Sequence, residues 1–415
     1  MKRIILLLLA LVLLAGCVDS PAPPESTADT TFITTTVPQP AAAPPEIRAL
    51  WLSYFDLSLP PGGISEQAYR EKYGALFDEI AAFGINTLFV HVRPFSDAIY
   101  PSEIYPWSEI LTGTQGKNPG YDPLGILCEL AGEHGLQIHA WLNPFRIMPD
   151  HRDLSRLAGD NPALPHIEVK DGWVQQTDGR HYWNPAVPET HALVYDGVRE
   201  LLAKYPLAGI HIDDYFYPTQ DARFDAAQYG AYQAQGGALS LAEWRRELIS
   251  QFVSGLYRTV HAAQPEAVLS VSPTADIEKN HDAYYADAAR WMREPGFADW
   301  MIPQVYYGFE HAKLPFEATA HAWAQLPRHA ELRLLCGLAA YKAGKDDQYA
   351  GADARGEWQA HSGVLARQFA FTRAEANYSG AAFYSCEGLF GSGLSEIAQT
   401  ERSNLHKLLI IGQNN

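Results

Sequence analysis

The sequence predicts an α/β fold, a (β/α)₈ TIM barrel that forms a single catalytic domain behind a signal peptide and a disordered linker. Three observations point there. Eight short apolar, β-branched or aromatic runs alternate with longer amphipathic stretches, the signature of parallel β/α construction. The segments that lead into the runs are short, such as Phe83-Gly84-Ile85-Asn86, whereas those that leave them at 93–121, 144–187 and 217–240 are long. Long loops at one end only are what an active face at the C-terminal ends of barrel strands requires. Finally, the first strand ends through Trp51-Leu52-Ser53-Tyr54, which is no glycine-rich phosphate turn and speaks against a doubly wound open sheet.

The expected strands are 47–55, 87–92, 137–143, 209–216, 268–273, 300–307, 331–341 and 380–386. The expected helices are 66–83, 122–134, 188–204, 241–263, 281–293, 315–325 and 358–376. Together they assign residues 46–410 to one barrel domain.

Ahead of it, residues 1–16 read as a lipoprotein signal peptide. Lys2 and Arg3 precede an apolar run of eleven residues, Ile4 to Leu14, too short to span a bilayer. Leu14-Ala15-Gly16-Cys17 then has the order of a lipoprotein box, with Cys17 as the lipidated residue. Residues 17–45 are rich in Pro, Thr and Ala, show no hydrophobic period, and read as an extended tether. An extracytoplasmic protein held to a bacterial membrane through its lipid alone is expected, and a monomer.

The formal net charge of −17 repels phosphate backbones, so nucleic acid is not an expected partner. Cys128, Cys336 and Cys386 form no C-x-x-C pair and read as small buried hydrophobes.

Side-chain alternation divides each strand between the barrel lumen and the helices. In 209–216, Ile210 and Ile212 should pack under helices while His211 and Asp213 point inward. By the same rule His91 and Arg93, then His139, Trp141 and Asn143, then Ser270 and Ser272 face the lumen. Gln304 and Tyr306 join them, and Phe383 and Ser385 lead to Glu387. A purely structural core would fill such positions with aliphatic residues, because buried polar groups without partners are costly. A polar pocket at the barrel mouth is therefore expected.

Within it, Asp213-Asp214 is the sharpest feature. Adjacent carboxylates repel, which raises one pKa and leaves the other ionised, the division of labour that glycoside hydrolysis needs. Strand neighbours point to opposite sides, so both act together only if the chain bends at Asp214; otherwise Asp213 is catalytic and Asp214 supports a loop. A second carboxylate from another strand would then come from Glu310 or Glu387, with Asp97 as an outsider. His91, His139 and His211 raise the rival reading of a metal site, but no H-x-H pair exists, and neither a metal nor any other cofactor is expected. Trp107, Trp173, Trp183, Tyr105, Tyr215, Phe216 and Tyr217 fall in the active-face loops and favour an extended saccharide, whose apolar ring faces aromatic planes cover.

These residues resemble the glycosyl-hydrolase-like family 10 barrels, bacterial lipoproteins of the cell envelope. The resemblance runs from about Glu46 to Phe390. It is carried by Glu46-Ile47-Arg48-Ala49-Leu50-Trp51, His91-Val92-Arg93-Pro94, Ala140-Trp141-Leu142-Asn143-Pro144, Trp183-Asn184-Pro185, Ile212-Asp213-Asp214-Tyr215-Phe216-Tyr217-Pro218 and Pro303-Gln304-Val305-Tyr306. It implies a glycosidase of the envelope, one branch of the family being linked to peptidoglycan strands stripped of stem peptides. It also implies catalysis at the Asp pair and sugar contacts at His91, Arg93, Trp141, Asn143, Arg146 and Tyr306. The ending Ser385-Cys386-Glu387-Gly388 departs from the small or hydroxyl residues expected there. Glu310 is accordingly the expected partner catalyst, and Glu387 a sugar contact beside Trp183, Asn184, Tyr215 and Gln304. A non-catalytic glycan-binding lipoprotein and a metal-dependent polysaccharide deacetylase are the alternatives.

Overall fold

The computed structural model describes residues 45–149 and 153–411. Cys17 and the signal peptide lie outside them, and among the described residues no helix is long and apolar enough to cross a membrane. The strands are β1 (Ile47–Leu52), β2 (Thr87–Arg93), β3 (Gln137–Leu142), β4 (Val174–Thr177), β5 (Arg180–Trp183), β6 (Gly209–Ile212), β7 (Val268–Val271), β8 (Trp300–Met301), β9 (Arg333–Leu334), β10 (Cys336–Ala339) and β11 (Gly380–Tyr384). All but β4 and β5 belong to one sheet in the order β10-β11-β1-β2-β3-β6-β7-β8-β9, and every pairing in it is parallel. β9 and β10 are two halves of one strand on either side of Leu335. One half pairs with β8 and the other with β11, so the sheet comes round on itself as the expected eight-stranded barrel.

Alternation sorts the side chains into two clusters. Leu50, Val90, Ala140, Ile210, Leu269 and Met301 belong to the layer between strands and helices. Ala49, Trp51, Phe89, Trp141, Trp300 and Ile302 meet inside the barrel. The lumen therefore has an aromatic floor under its polar mouth. His211 is built into that floor: its ring stacks on Phe89 at 4.1 Å. Trp51 Nε1–H can only donate, so His211 Nε2 accepts from it at 2.9 Å and His211 Nδ1–H donates to Ser270 Oγ at 2.8 Å.

The helices begin and end where local chemistry directs. Ser65 caps Glu66–Phe83 by accepting from Ala68 N–H, and Gly84 ends it at φ 98°, a left-handed conformation that suits glycine. Ser240 and Glu243 form a capping box on Leu241–Ala263.

Several expectations need correction. The helix expected at 281–293 is two, Ile277–Asp282 and Ala288–Arg293, because Tyr285 takes a left-handed φ of 53° and Asp287 caps a new start. The helix at 358–376 breaks at Gly363 into Glu357–Ala360 and Val364–Ala374. The loop expected at 144–187 contains the antiparallel hairpin β4–β5, and a helix, Glu396–Ile411, follows the last strand where none is expected.

The loop after β6 is held by a buried ion pair. The guanidinium of Arg245 donates to both Asp225 carboxylate oxygens, at 2.8 and 2.6 Å, and to the Asp221 carbonyl at 2.8 Å. The Tyr217 hydroxyl donates to the same carboxylate. Both charged side chains are fully buried. Removing one partner strands the other charge, so Arg245→Met should cost about 3–5 kcal/mol in chemical denaturation.

Asp97 sits in a second loop network. It accepts from Gln115 Nε2 at 3.1 Å, and Gln115 Oε1 in turn accepts from Asn161 and from Ala158 N–H. Burial pushes the Asp97 carboxyl up from 3.8 to about 6. The folded protein thus binds this proton more tightly than the unfolded chain does, and stability present at low pH is lost as pH rises between these values. Asp97→Asn should remove that dependence, so its melting temperature relative to the native protein should climb from pH 4 to pH 7, by the equivalent of about 2–3 kcal/mol.

Candidate active site

A cavity of about 530 Å³ opens at the C-terminal mouth of the barrel. Trp51, His91 and Trp141 come to it from the first three strands, and Asn143 from just beyond β3. Asp213 and Asp214 follow β6, Gln304 and Tyr306 follow β8, and Tyr341 and Tyr384 stand at the ends of β10 and β11. Tyr54, Phe55, Arg146, Arg180, Tyr182 and Tyr215 complete the wall.

β6 stops at Ile212 and the chain bends at Asp214, where Phe216 N–H donates to the Asp214 carbonyl at 3.1 Å. That bend supplies the condition under which neighbouring residues face the same side, and both carboxyls line the cavity. Burial, and next the negative charge of Asp214, drive the Asp213 carboxyl well above the usual carboxylate range, against Arg146, Asn143 and the Tyr215 N–H. Burial also raises Asp214, opposed by hydrogen bonding from Gln304 and by the charges of Lys279 and Arg146. Burial and mutual repulsion thus favour a state in which one of the two carboxyls stays protonated above the usual carboxylate range.

The proton's surroundings are fixed by a relay. Asn143 Nδ2 donates to Asp213 Oδ1 at 2.5 Å, which leaves Asn143 Oδ1 to accept from His91 Nε2–H at 2.9 Å. The His91 ring lies flat on Trp141, centroids 3.6 Å apart and planes 11° apart. Burial, and next the charge of Arg146, hold His91 well below the ordinary histidine range, so it is neutral and carries its proton on Nε2.

Aromatic rings surround the carboxyls. Tyr306 and Tyr384 stack at 5.8 Å, and Trp51 meets each edge-on. Arg146 lies 4.7 Å over the Tyr215 ring, which is 48% exposed at the rim; Phe55, also on the cavity, is 63% exposed. Solvent-facing rings beside buried carboxyls make a surface suited to ring-stacking ligands.

The structure thus brings His91, Trp141, Asn143, Arg146, Asp213, Asp214, Tyr215, Gln304 and Tyr306 to one cavity. Other expected residues lie elsewhere. The β2–β3 register shifts between His91 and Arg93, so Arg93 pairs with Leu142 on the helix side. There it donates to the Phe95 and Pro144 carbonyls and lies 5.0 Å from the Tyr105 ring. Trp183 is buried in the outer core. Asn184 donates to the Gly172 carbonyl and accepts from Ala186 N–H, pinning the base of the β4–β5 hairpin.

Glu310 is exposed and outside the cavity, because the N–H groups of Phe309 and Glu310 are both drawn to buried Glu357 and turn the chain away from the mouth. Glu387 is exposed as well. Its N–H donates to Asp56, and its side chain faces an adjoining cavity of about 160 Å³. The inward parity in the last strand belongs to Ala382 and Tyr384, not Phe383, which packs under the helices. Asp97 is buried away from the mouth.

The histidines of the rival metal reading do not converge. His211 has both ring nitrogens hydrogen-bonded in the floor, and His139 lies against Trp300, its pKa held down to about 3 by burial. Among the described residues no group of three or more His, Cys, Asp or Glu side chains is arranged to hold a metal ion. Sequence reasoning missed Trp51, Tyr54, Phe55, Arg180, Tyr182, Tyr341 and Tyr384 as cavity residues. Alternation applied to β1 would have found Trp51, and Tyr341 ends an expected strand. The hairpin pair, Arg180 and Tyr182, left no comparable signal.

Comparison with known proteins agrees with this geometry. Residues 46–351 match the family described as Glycosyl hydrolase-like 10. The chain is 34% identical over 317 residues to the glycosyl hydrolase YngK of Bacillus subtilis (strain 168), covering 72% of this chain and 61% of that protein, under two thirds of its length. It is 30% identical over 400 residues to the glycosyl hydrolase DigH of Escherichia coli (strain K12), covering 86% of each. Among solved structures, the PgaB (BpsB) glycoside hydrolase domain from Bordetella bronchiseptica has a TM-score of 0.57 at 14% identity. That match covers 87% of this chain and 99% of the domain, and is a likeness of fold. The family match over residues 46–351, with relatives 34% and 30% identical over 72% and 86% of the chain, shows that this chain belongs to the glycosyl hydrolase-like 10 family.

Proposed function

We propose that this protein hydrolyses a cell-envelope polysaccharide, peptide-stripped peptidoglycan glycan strands first among them, with Asp213 as general acid and Asp214 as its ionised partner. The observation that carries this reading is the placement of both carboxyls in one aromatic-walled cavity. Burial and the neighbouring Asp214 charge raise the Asp213 carboxyl, and Asn143 fixes one of its oxygens, so Asp213 is the member that donates to the leaving glycosidic oxygen. Asp214, on which Gln304, Lys279 and Arg146 favour the charged form, either attacks the anomeric carbon itself as the protonated oxygen leaves, or takes a proton from the water that attacks it. Asn143 and neutral His91 hold the acid in place. A lipid on Cys17 would keep the barrel at the envelope, near such a substrate, with no cofactor required.

Incubating the purified protein with intact and peptide-stripped peptidoglycan, followed by mass analysis of the fragments, tests the substrate. The native protein should release saccharides from the stripped strands, and Asp213→Asn should lower kcat by about a thousandfold while binding persists. Strand binding without any cleavage by the native protein would support a non-catalytic glycan-binding role instead.

The pH profile follows from the two carboxyls. Activity should fall at low pH as Asp214 takes a proton and at high pH as Asp213 loses one. Asn143 lowers the Asp213 pKa by donating to the carboxylate. Asn143→Ala removes that donor, so the alkaline limb of kcat against pH should move upward; an unmoved limb would contradict Asp213 as the acid.

A further inference from the structure

The mouth of the barrel holds more than the central cavity. On the hairpin side a second cavity of about 250 Å³ uses Arg146, Arg180, Tyr182, Asp214 and Tyr215 as walls in common with the first. Asp178 and Tyr284 line the second cavity and not the central one, while Asp213 lines only the central one. Asp214 is therefore reachable from both. On the other side, Tyr341 is a wall shared between the central cavity and the smaller one of about 160 Å³ that holds Lys345, Ser385 and Glu387.

The strand order decides how these three spaces lie. The hairpin-side cavity is built from the segments that follow β3 and β6, with Tyr284 added from the one that follows β7, and the Glu387 cavity from those that follow β10 and β11. Around the closed ring β3 and β10 stand on opposite sides. The three cavities consequently run across the mouth with the carboxyls between the ends. A pocket for chain-end removal is blocked on one side; this row continues past the carboxyls in both directions. Aromatic and charged side chains line each extension, Tyr284 and Arg180 on one side and Tyr341 and Lys345 on the other, which is the mixture that covers sugar faces and binds hydroxyls.

We propose that a linear saccharide lies across the barrel mouth through all three cavities and is cut internally, at the linkage that passes over Asp214. The proposal rests on the glycosidase reading above. It makes Tyr284 and Asp178 contacts of the unit on the hairpin side, and Glu387 a contact of the chain on the opposite side.

The test uses the full chain with peptide-stripped peptidoglycan strands tagged at the reducing end, the products being sized from the earliest time points. Internal cutting yields intermediate lengths at once. Tyr284→Ala and Glu387→Gln should each lower kcat/KM on long strands by about tenfold more than on the shortest saccharide the native protein cleaves, the loss of one ordinary binding contact. Native protein that releases only terminal units, with variants indifferent to chain length, overturns the path across the mouth and leaves the glycosidase reading intact. Native protein that cuts no saccharide at all overturns both.

Discussion

Two adjacent, buried carboxyl groups facing one cavity cannot both be charged at low cost, and much of this structure is arranged around that constraint. Asp213 and Asp214 would point to opposite faces of a continuous strand; β6 ends at Ile212 and the bend at Asp214 turns both to the mouth. Their repulsion, added to burial, favours a shared proton. The groups around them then give the two sites different environments. Asn143, steadied by His91, contacts Asp213, while Gln304 and Lys279 act on Asp214. The bend itself is braced from behind, since Tyr217 and the buried Arg245–Asp225 pair tie down the loop that follows.

The barrel makes this constraint tolerable by placing rigid material beneath it. Trp51, Phe89, Trp141 and Trp300 fill the lumen. His211, neutral because burial disfavours its charge, links Trp51 to Ser270 through its two nitrogens. A packed aromatic floor keeps water out from below and presents side chains that change little in orientation, which is what a site needs if its acid is to keep one geometry. The long loops after the strands then only have to shape the walls, and the β4–β5 hairpin adds Arg180 and Tyr182 to them.

Much of this is legible in the amino-acid order. The alternation of short apolar runs with amphipathic stretches yields the eight-stranded barrel, and inward parity leads directly to His91, Trp141, Asn143, Asp213, Gln304 and Tyr306. Where the reading goes astray, a local departure from regular geometry is responsible. One register shift in β2 sends Arg93 to the helix side. In the last strand, counting back from Glu387 assumes an extended chain, but a short helix begins at Cys386, so Tyr384 rather than Phe383 faces the mouth. Glu310 looked suitable because it follows an inward-facing strand, yet hydrogen bonds from its own loop to Glu357 turn it to solvent. A carboxylate's reach depends on such long-range contacts, 47 residues apart in this instance, and no pattern within a single strand encodes them.

The central claim is that the Asp pair holds a proton well above the ordinary carboxylate range. Carboxyl-carbon NMR of the full chain, with aspartates labelled and the pair assigned through Asp213→Asn and Asp214→Asn, measures it directly. The account predicts two separated steps, the later one well above the ordinary carboxylate range, and each single variant moving the surviving carboxyl back toward that range. Two carboxyls that ionise together near the usual aspartate value, and that do not respond to each other's removal, would contradict it.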